Sequence, residues 1–387
     1  MSQEGRTSVH NTNHTMQRAH KIRIYPTKEQ EVQLYKTAGT ARYAYNWALD
    51  QWKSQYDAFD KGLSKEKPSA VKLSAKWTKE RPEWATEVAR DSQTRAIMDV
   101  GTAFQNLWKG KTAYPKFHKK GRKDSFYVGN SHAYIDGNRI SLPRIGKVRL
   151  AEPLRYQGKI MSYVVSTYAG QWFVSVQVEL TSDARPRCEA PDSSVGIDVG
   201  LSHVAVASDG TALDMPKSLT RLDARLKVLQ RKLSKKAKRS RNRSKALRRK
   251  QKVQRKIDNI RKDSVHKFTH AITKNHGIVV TEDLNLKGMV EKGPRSLRRS
   301  LAHSLMGEVI RQVSYKAQRH VMVDRFFPSS KRCSCCGFVK TNLDLSERTY
   351  RCEACGLVID RDYNASLNLM QAGAVSSGVP VESAGSR

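Results

Sequence analysis

The chain has 387 residues, and its 71 lysines and arginines against 36 aspartates and glutamates give a net charge of +35 at pH 7. Because such an excess of one sign opposes a compact fold, we expect a polyanionic partner, with nucleic acid favoured over an anionic membrane surface. No apolar run of about 18 residues could cross a bilayer, and residues 1–20 lack an apolar signal core. The sequence therefore predicts a cytoplasmic protein with no membrane partner.

The N-terminal half predicts a small β domain interrupted by helices. Residues 1–19 are mostly polar and aperiodic, which indicates a disordered leader. Alternating apolar residues predict strands in 20–26 and 111–181, and we expect these to form one small β-barrel. The intervening segment 27–110 has helical periodicity and predicts an α-helical insert. Residues 181–192 contain two prolines and predict a linker.

Finer patterns in this half place individual elements. Lys21–Tyr25 alternates as a strand, and Thr27 precedes a helix that begins at Lys28. Two further helices are predicted at Ala70–Trp77 and Gln93–Leu107. Asp136-Gly-Asn138 predicts a hairpin turn.

The stretch from Tyr114 to Lys123 is basic and contains two aromatic residues. Cations interleaved with aromatic rings suit phosphate contact with occasional base stacking. We take Lys116, Lys119 and Lys120 as candidate nucleic-acid contacts. A loop that is merely solvated is the alternative.

The stretch SSVGIDVGLSHVAVASDG, residues 193–210, reads as two strands and two turns. Asp198 lies among apolar residues in a core strand, where a carboxylate is costly unless a cation or hydrogen-bond donors meet it. Gly196 and Gly200 flank Asp198 and leave room for a bulky group to approach. Strands at 195–199, 203–208 and 211–213 are expected to begin a mixed sheet.

Residues 217–262 contain 21 lysines and arginines and two acidic residues, and so carry +19 of the net charge. Apolar residues spaced by four and three, leucines in the first segment and valine and isoleucine in the second, predict two helices that form a hairpin around 239–243. We expect the basic faces to follow a phosphate backbone, with a solvated hairpin as the alternative. The candidate contacts are Arg239, Arg241, Arg243, Arg248 and Arg249.

Two more acidic residues follow similar patterns. Glu282 ends the apolar strand 278–282, and Asp362 lies where a helix is expected to start. Together with Asp198 they could bind two Mg²⁺ ions, as two-metal phosphodiester hydrolases require. The alternative is that each acid serves only as a turn or capping residue.

Other patterns complete the C-terminal half. Val265–Asn275 and Leu301–Arg319 predict two helices, and Val321–Phe327 predicts a strand. Residues 371–387 lack large apolar side chains and predict a disordered tail.

Cysteines occur as two pairs, Cys333-x-x-Cys336 and Cys352-x-x-Cys355. This spacing predicts a tetrahedral Zn²⁺ site, structural because four thiolates leave no open position. Cys335 is expected to be a bystander, since a one-residue gap to Cys333 is too short for this turn.

These motifs resemble those of the TnpB (OrfB) family, transposon-encoded relatives of type V CRISPR effectors. The resemblance rests on GIDVG, VVTEDLNLKGM and CSCCG…CEACG followed by DRDYNASLNL. It extends to KIRIYPTKEQ, YPKFHKKG and VDRFFPSSKRCS, and spans residues 20–370.

The resemblance implies a multidomain α/β fold. It has a ribonuclease H-like (RuvC) nuclease domain, 190–330 and 359–370, interrupted by a zinc ribbon, 331–358. The β-barrel corresponds to a wedge domain and the helical insert to a recognition domain. The catalytic, Mg²⁺-binding positions of the family align with Asp198, Glu282 and Asp362.

The neighbours Asp283 and Asp360 are the competing assignments for two of these acids. Arg361 and Asn364 are candidates for holding the scissile phosphate.

The implied function is RNA-guided cleavage of double-stranded DNA beside a short motif that the protein reads. The guide RNA would come from the transposon end, and a separate transposase system could be associated. We expect a prokaryotic protein, associated with the nucleoid when it is bound to DNA. The alternative is an RNA-guided DNA-binding protein or transposition accessory protein that does not join strands.

Overall fold

The computed structural model describes residues 16–121, 124–180, 185, 187–200, 203–292, 294, 305–344 and 346–377. The chain divides into two compact units, His14–Ala184 and Arg185–Arg387. The division falls within the predicted linker. No helix in the described ranges is long and apolar enough to span a membrane.

The N-terminal unit is built on one antiparallel sheet of seven strands. They are β1 (Gln17–Tyr25), β2 (Ser125–Gly129), β3 (Tyr134–Asp136), β4 (Arg139–Leu142), β5 (Gly146–Leu150), β6 (Gly158–Tyr168) and β7 (Gln171–Leu180). Their order is β2–β6–β7–β1–β5–β4–β3. Since β2 and β3 lie at opposite edges, the sheet is a half-barrel, a coarser form of the small β-barrel that the sequence predicted.

Strand β1 is longer than the sequence predicted. It begins at Gln17, which pairs with Glu179 of β7, so residues 17–19 belong to the sheet and not to a leader. Residues 1–15 of the predicted leader lie outside the described part of the chain. The hairpin turn predicted at 136–138 is confirmed, because it joins β3 to β4.

Three helices form the insert between β1 and β2, as predicted. They are α1 (Lys28–Asp60), α2 (Ala70–Glu80) and α3 (Arg90–Trp108). Helix α1 begins with a capping box, in which the Thr27 hydroxyl accepts from the Gln30 amide and the Gln30 side chain accepts from the Thr27 amide. Leu49 and Trp52 of α1 pack with Phe104 of α3 in a buried core.

The C-terminal unit contains a mixed sheet of five strands. They are β8 (Ser194–Asp198), β9 (Ala205–Ala207), β10 (Ala212–Leu213), β11 (Ile278–Glu282) and β12 (Arg319–Val323). Their order is β10–β9–β8–β11–β12, with β8, β11 and β12 parallel. Strand β12 begins two residues and ends four residues earlier than predicted. It ends at Val323, because Asp324 closes a turn on the amide of Phe326.

The helices of this unit correct several predicted boundaries. They are α4 (Ser218–Ser234), α5 (Arg241–Asn275), α6 (Leu286–Lys292), α7 (Met306–Lys316) and α8 (Arg361–Ser377). The basic hairpin is confirmed as α4 and α5. However, α5 runs unbroken to Asn275, so the separate helix predicted from Val265 is wrong.

Helix α8 also continues to Ser377, and residues 371–377 are therefore not a disordered tail. Residues 301–304 and 378–387 lie outside the described residues. Between β12 and α8 lies the ribbon, with strands β13 (Thr349–Arg351) and β14 (Val358–Asp360).

Helix α8 packs directly on β8 and β11 through two glycines. A Cβ atom at Gly196 would lie 2.0 Å from the Ser366 carbonyl oxygen and 2.5 Å from the Met370 nitrogen. A Cβ atom at Gly373 would lie 2.4 Å from a methyl carbon of Val280. The bulky neighbour that the sequence anticipated at Gly196 is therefore the backbone of α8.

Candidate functional site

Asp198 and Glu282 lie at the same edge of the C-terminal sheet. Strands β8 and β11 are parallel, and Ile197 is paired with Thr281. The next residues, Asp198 and Glu282, therefore both end their strands at the carboxyl edge, where sites of open α/β sheets usually form. Asp362 is the second residue of α8, the helix that packs on β8.

The three acids are close enough for the charges of two of them to affect the pKa of the third. Burial, with the negative charges of Asp362 and Glu282, raises the pKa of Asp198 to about 7, while Arg361 opposes this shift. Burial, and then the charge of Asp283, raises the pKa of Glu282. A partly desolvated group of like charges is the arrangement that a bound cation stabilises.

The oxygen atoms of the three carboxylates are not all within 4.8 Å of one another. Among described residues, the only group of three or more ligand-type side chains with donor atoms within 4.8 Å of one another is the set of four ribbon cysteines. A two-ion site does not need the tighter grouping, because its ions are about 3.5–4 Å apart and each takes its own subset of ligands. Oxygen donors of this kind fit Mg²⁺.

Arg361 lies beside this group. Its guanidinium nitrogens are 3.3 and 3.4 Å from Oδ1 of Asp362, and both side chains are largely buried. The cation partly offsets the negative charge around Asp198. Arg361 is therefore at the site, as predicted, and its contact to phosphate stays a prediction.

The two competing acids have other partners. Oδ1 of Asp360 accepts from the amides of Asp362 and Tyr363, so Asp360 caps the N-terminus of α8. Asp283 forms an ion pair with Arg325, and both side chains are more than 40% exposed. Asp360 is thus engaged in a helix cap, and Asp283 is more exposed than the buried Asp362; Glu282 and Asp362 stay the predicted site acids.

Asn364 does not have the predicted role. It is fully buried, its Nδ2 donates to the Arg332 carbonyl at 2.7 Å, and its Oδ1 accepts from the Ser334 amide at 3.0 Å. Because both polar atoms of the amide are bonded to the ribbon backbone, Asn364 is not available to a phosphate. It joins α8 to the first cysteine pair.

Two residues that the sequence analysis missed extend this contact. Asn368 donates to the carbonyls of Ser329 and Arg332, and Gln371 donates to the Ser334 carbonyl. With Asn364 they form a ladder of amide side chains along one face of α8, which we call the amide ladder. Their spacing of four and three residues was the available signal.

The four cysteines are brought together as predicted. All four sulfurs lie within 4.8 Å of one another, with Sγ–Sγ distances of 3.6 Å for Cys333–Cys355 and 3.5 Å for Cys336–Cys352. Tetrahedral zinc, with bonds of about 2.3 Å, separates its sulfurs by about 3.8 Å. The site therefore fits structural Zn²⁺.

The ribbon's local geometry supports this assignment. Gly337 and Gly356 follow the pairs with φ of 78° and 75°, the left-handed conformation that the turns require. Cys335 is exposed and outside the cluster, as expected. Beneath the cluster, Tyr350 is fully buried and donates to the Lys331 carbonyl.

The candidate lysines of the N-terminal unit, Lys116, Lys119 and Lys120, are all exposed. Their loop is fixed to α1, because Asn46 exchanges two hydrogen bonds with the backbone of His118. The His118 ring also stacks on a tyrosine of α1 at 3.9 Å between centroids. The lysines thus lie on a loop that is bound to α1 by hydrogen bonds, and their nucleic-acid contacts stay a prediction.

Four of the five candidate arginines, Arg239, Arg241, Arg248 and Arg249, are exposed on the hairpin. Arg243 has another role. Its guanidinium donates to the carbonyls of Leu233 and Lys236 at 2.8 and 3.1 Å. It therefore caps the C-terminal end of α4 and is a structural residue of the turn.

Comparison with known proteins gives the family. The OrfB_IS605 model, described as "Probable transposase", matches residues 173–293, and the "Cas12f1-like, TNB domain" model matches residues 307–369. "Putative RNA-guided DNA endonuclease" of Streptomyces pristinaespiralis is 33% identical over 94% of this chain and 90% of its own length. The chain belongs to the TnpB (OrfB) family.

Further comparisons agree with this membership. "Putative RNA-guided DNA endonuclease InsQ" of Escherichia coli is 30% identical and covers 92% of each chain. A Cas12f1 chain, solved with sgRNA and target DNA, has a TM-score of 0.52 at 13% identity over 92% of this chain and 99% of its own. That likeness shows a Cas12-like fold.

A third family model, described as "Helix-turn-helix domain", matches residues 16–61. In the structure, this segment is a strand, β1, followed by one long helix, α1.

Proposed function

We propose that this member of the TnpB family is a transposon-encoded, RNA-guided DNA endonuclease. The observation that carries the proposal is the placement of three acids, from β8, β11 and α8, at one edge of the C-terminal sheet. Two relatives that span nearly the whole chain bear the name "Putative RNA-guided DNA endonuclease". We assign the C-terminal unit as the RuvC-like nuclease and the N-terminal sheet and helices as wedge and recognition domains.

Asp198, Glu282 and Asp362 would hold two Mg²⁺ ions. When bound, such ions activate water and stabilise the leaving oxygen of a phosphodiester. The chain's own residues set up the site: the sheet edge orients two carboxylates, α8 brings the third, and Arg361 lowers the cost of keeping Asp198 ionised.

The RNA requirement follows from what the site lacks. A carboxylate site of this type acts on backbone and has no means to read a base sequence, so sequence must come from elsewhere. Base pairing with a bound RNA supplies it, and an extended positive surface suits that RNA and its heteroduplex. We propose a guide RNA from the transposon end and double-stranded DNA as target.

A matched pair of substitutions tests the catalytic assignment. Asp362→Asn should abolish cleavage, while Asp360→Asn should remain active because asparagine also caps a helix. Asp198→Ala and Glu282→Ala should be inactive, and RNA binding should be unchanged in all four. An inactive Asp360→Asn with an active Asp362→Asn would overturn the assignment of the third ligand.

A second experiment tests guidance. RNA that copurifies with the protein is sequenced, its guide segment is replaced, and cleavage is mapped on plasmids that carry the same adjacent motif. We expect the cut to move with the guide. Cleavage of the original site by RNA-free protein would refute guidance, and RNA-dependent binding without cutting would favour the alternative DNA-binding function.

A further inference from the structure

Phe326 is the most exposed large apolar side chain in the described part of the molecule, with 87% of its surface accessible. Phenylalanine is usually buried, because transfer of its ring from water is favourable. A ring left this open gains no burial energy from the chain's own fold.

The strand that leads to Phe326 lies beside one of the site acids. Val323, the last residue of β12, pairs with Glu282, and its carbonyl accepts from the Asp283 amide at 2.9 Å. The chain then turns, with the Phe326 amide donating to Oδ1 of Asp324 at 2.8 Å. Phe326 thus follows, by three residues, the strand neighbour of a site carboxylate.

The turn is anchored on both sides of the ring. Arg325 is held by its ion pair with Asp283. Phe327 packs with Val321 and Leu369 against the sheet. The two adjacent phenylalanines therefore have different surroundings. Phe327 packs on the sheet and holds the turn, whereas the Phe326 ring is exposed to solvent.

We propose that Phe326 is a stacking platform for an unpaired base of the DNA strand that enters the carboxylate site. Aromatic rings beside cations bind single strands in this way, whatever the base, because every base has a π face. The bases of an intact duplex are already stacked, so the ring selects a locally unpaired strand. This inference rests on the proposed nuclease function and adds a positioning contact for its substrate.

Three substitutions separate stacking from other uses of the ring. Phe326→Leu keeps an apolar side chain but removes the π face, and Phe326→Trp enlarges that face. Met322→Ala is the matched control, since Met322 is an apolar side chain of β12 without an aromatic ring and is 46% exposed. All are made in the full chain, purified with its RNA.

The first measurement uses target oligonucleotides that carry a single 2-aminopurine at successive positions, with Ca²⁺ replacing Mg²⁺. We expect a fluorescence change at one or two positions with the wild type and Phe326→Trp, and none with Phe326→Leu. Affinity for the unpaired strand should fall roughly 5- to 100-fold in Phe326→Leu. RNA affinity and the Met322→Ala values should match the wild type.

The second measurement is cleavage. Phe326→Leu should raise KM for a single-stranded target much more than it lowers kcat, and Phe326→Trp should restore KM. Equal fluorescence, strand affinity and KM in the Phe326→Leu and wild-type proteins would overturn the proposal. The fluorescence experiment reports on Phe326 even if no DNA is cut, so failure of the nuclease function remains distinguishable.

Discussion

Substitution of Gly196 by alanine tests how the site is assembled. The added methyl carbon would lie 2.0 Å from the carbonyl oxygen of Ser366 and 2.5 Å from the nitrogen of Met370. Carbon and oxygen approach to about 3.3 Å at closest in weak contacts. Helix α8 must therefore retreat from β8 by roughly 1 Å or more, since both obstructing atoms belong to its backbone.

This displacement has two expected consequences. Overpacking costs about 1–3 kcal/mol of stability, and Asp362 moves with its helix away from Asp198. Because a misplacement of about 1 Å can lower a rate about 100-fold, we expect Gly196→Ala to lose at least that much cleavage activity.

Two other glycines provide matched controls in the cleavage assay. A methyl group at Gly200 would be 3.2 Å from the His203 carbonyl oxygen, which requires only a small adjustment. One at Gly373 would lie 2.4 Å from a methyl carbon of the buried Val280, so the obstruction there is a side chain and not backbone. The expected order of damage is Gly196→Ala, then Gly373→Ala, then Gly200→Ala. RNA affinity and zinc content show that each variant is folded, and Gly196→Ala as active as Gly200→Ala would refute the reasoning.

Three further predictions concern charge and the amide ladder. Since the pKa of Asp198 is raised to about 7, the carboxylate is protonated below that pH. Metal affinity, measured by Mn²⁺ titration, should therefore fall about tenfold per pH unit below 7 and level off above it. Asn364→Ala leaves the partly buried Ser334 amide without this partner and should cost about 1–3 kcal/mol, seen as faster zinc loss to a chelator together with reduced cleavage. Normal zinc retention would contradict it. Replacing Arg241 and Arg248 by glutamine should reduce the slope of log K for RNA binding against log salt concentration. The expected reduction is roughly 0.7–0.9 for each phosphate that is no longer neutralised. An unchanged slope would show that these arginines of the hairpin do not contact the RNA backbone.

The parts of the fold that the sequence predicted correctly depend on local patterns. The cysteine spacing predicted the cluster because each pair forms one turn, and the apolar run 278–282 predicted β11, which ends at Glu282. The capping box at Thr27 likewise marked the start of α1. Each of these features depends on residues that lie close together in the sequence.

The errors arose where a side chain's partner lies far away in sequence. Asn364 follows Asp362 closely, so its role depended on the orientation of the ribbon, 30 residues away from it at Ser334. Arg243 resembles its neighbours in composition, and only the path of the turn makes it a cap. The length of α5 was missed because its apolar spacing changes where it passes from the hairpin to the sheet at Val265.

The position of the ribbon in the chain now has a physical reason. It lies between β12 and α8, and the start of α8 is held by the Asp360 cap that ends β14, by the amide ladder to the first cysteine pair and by close packing on Gly196. Two of these three supports belong to the ribbon. Because a four-thiolate zinc site has no open position for substrate, we infer that the ribbon acts on Asp362 through geometry. Its folding energy, supplied when metal binds, would fix the helix that carries Asp362.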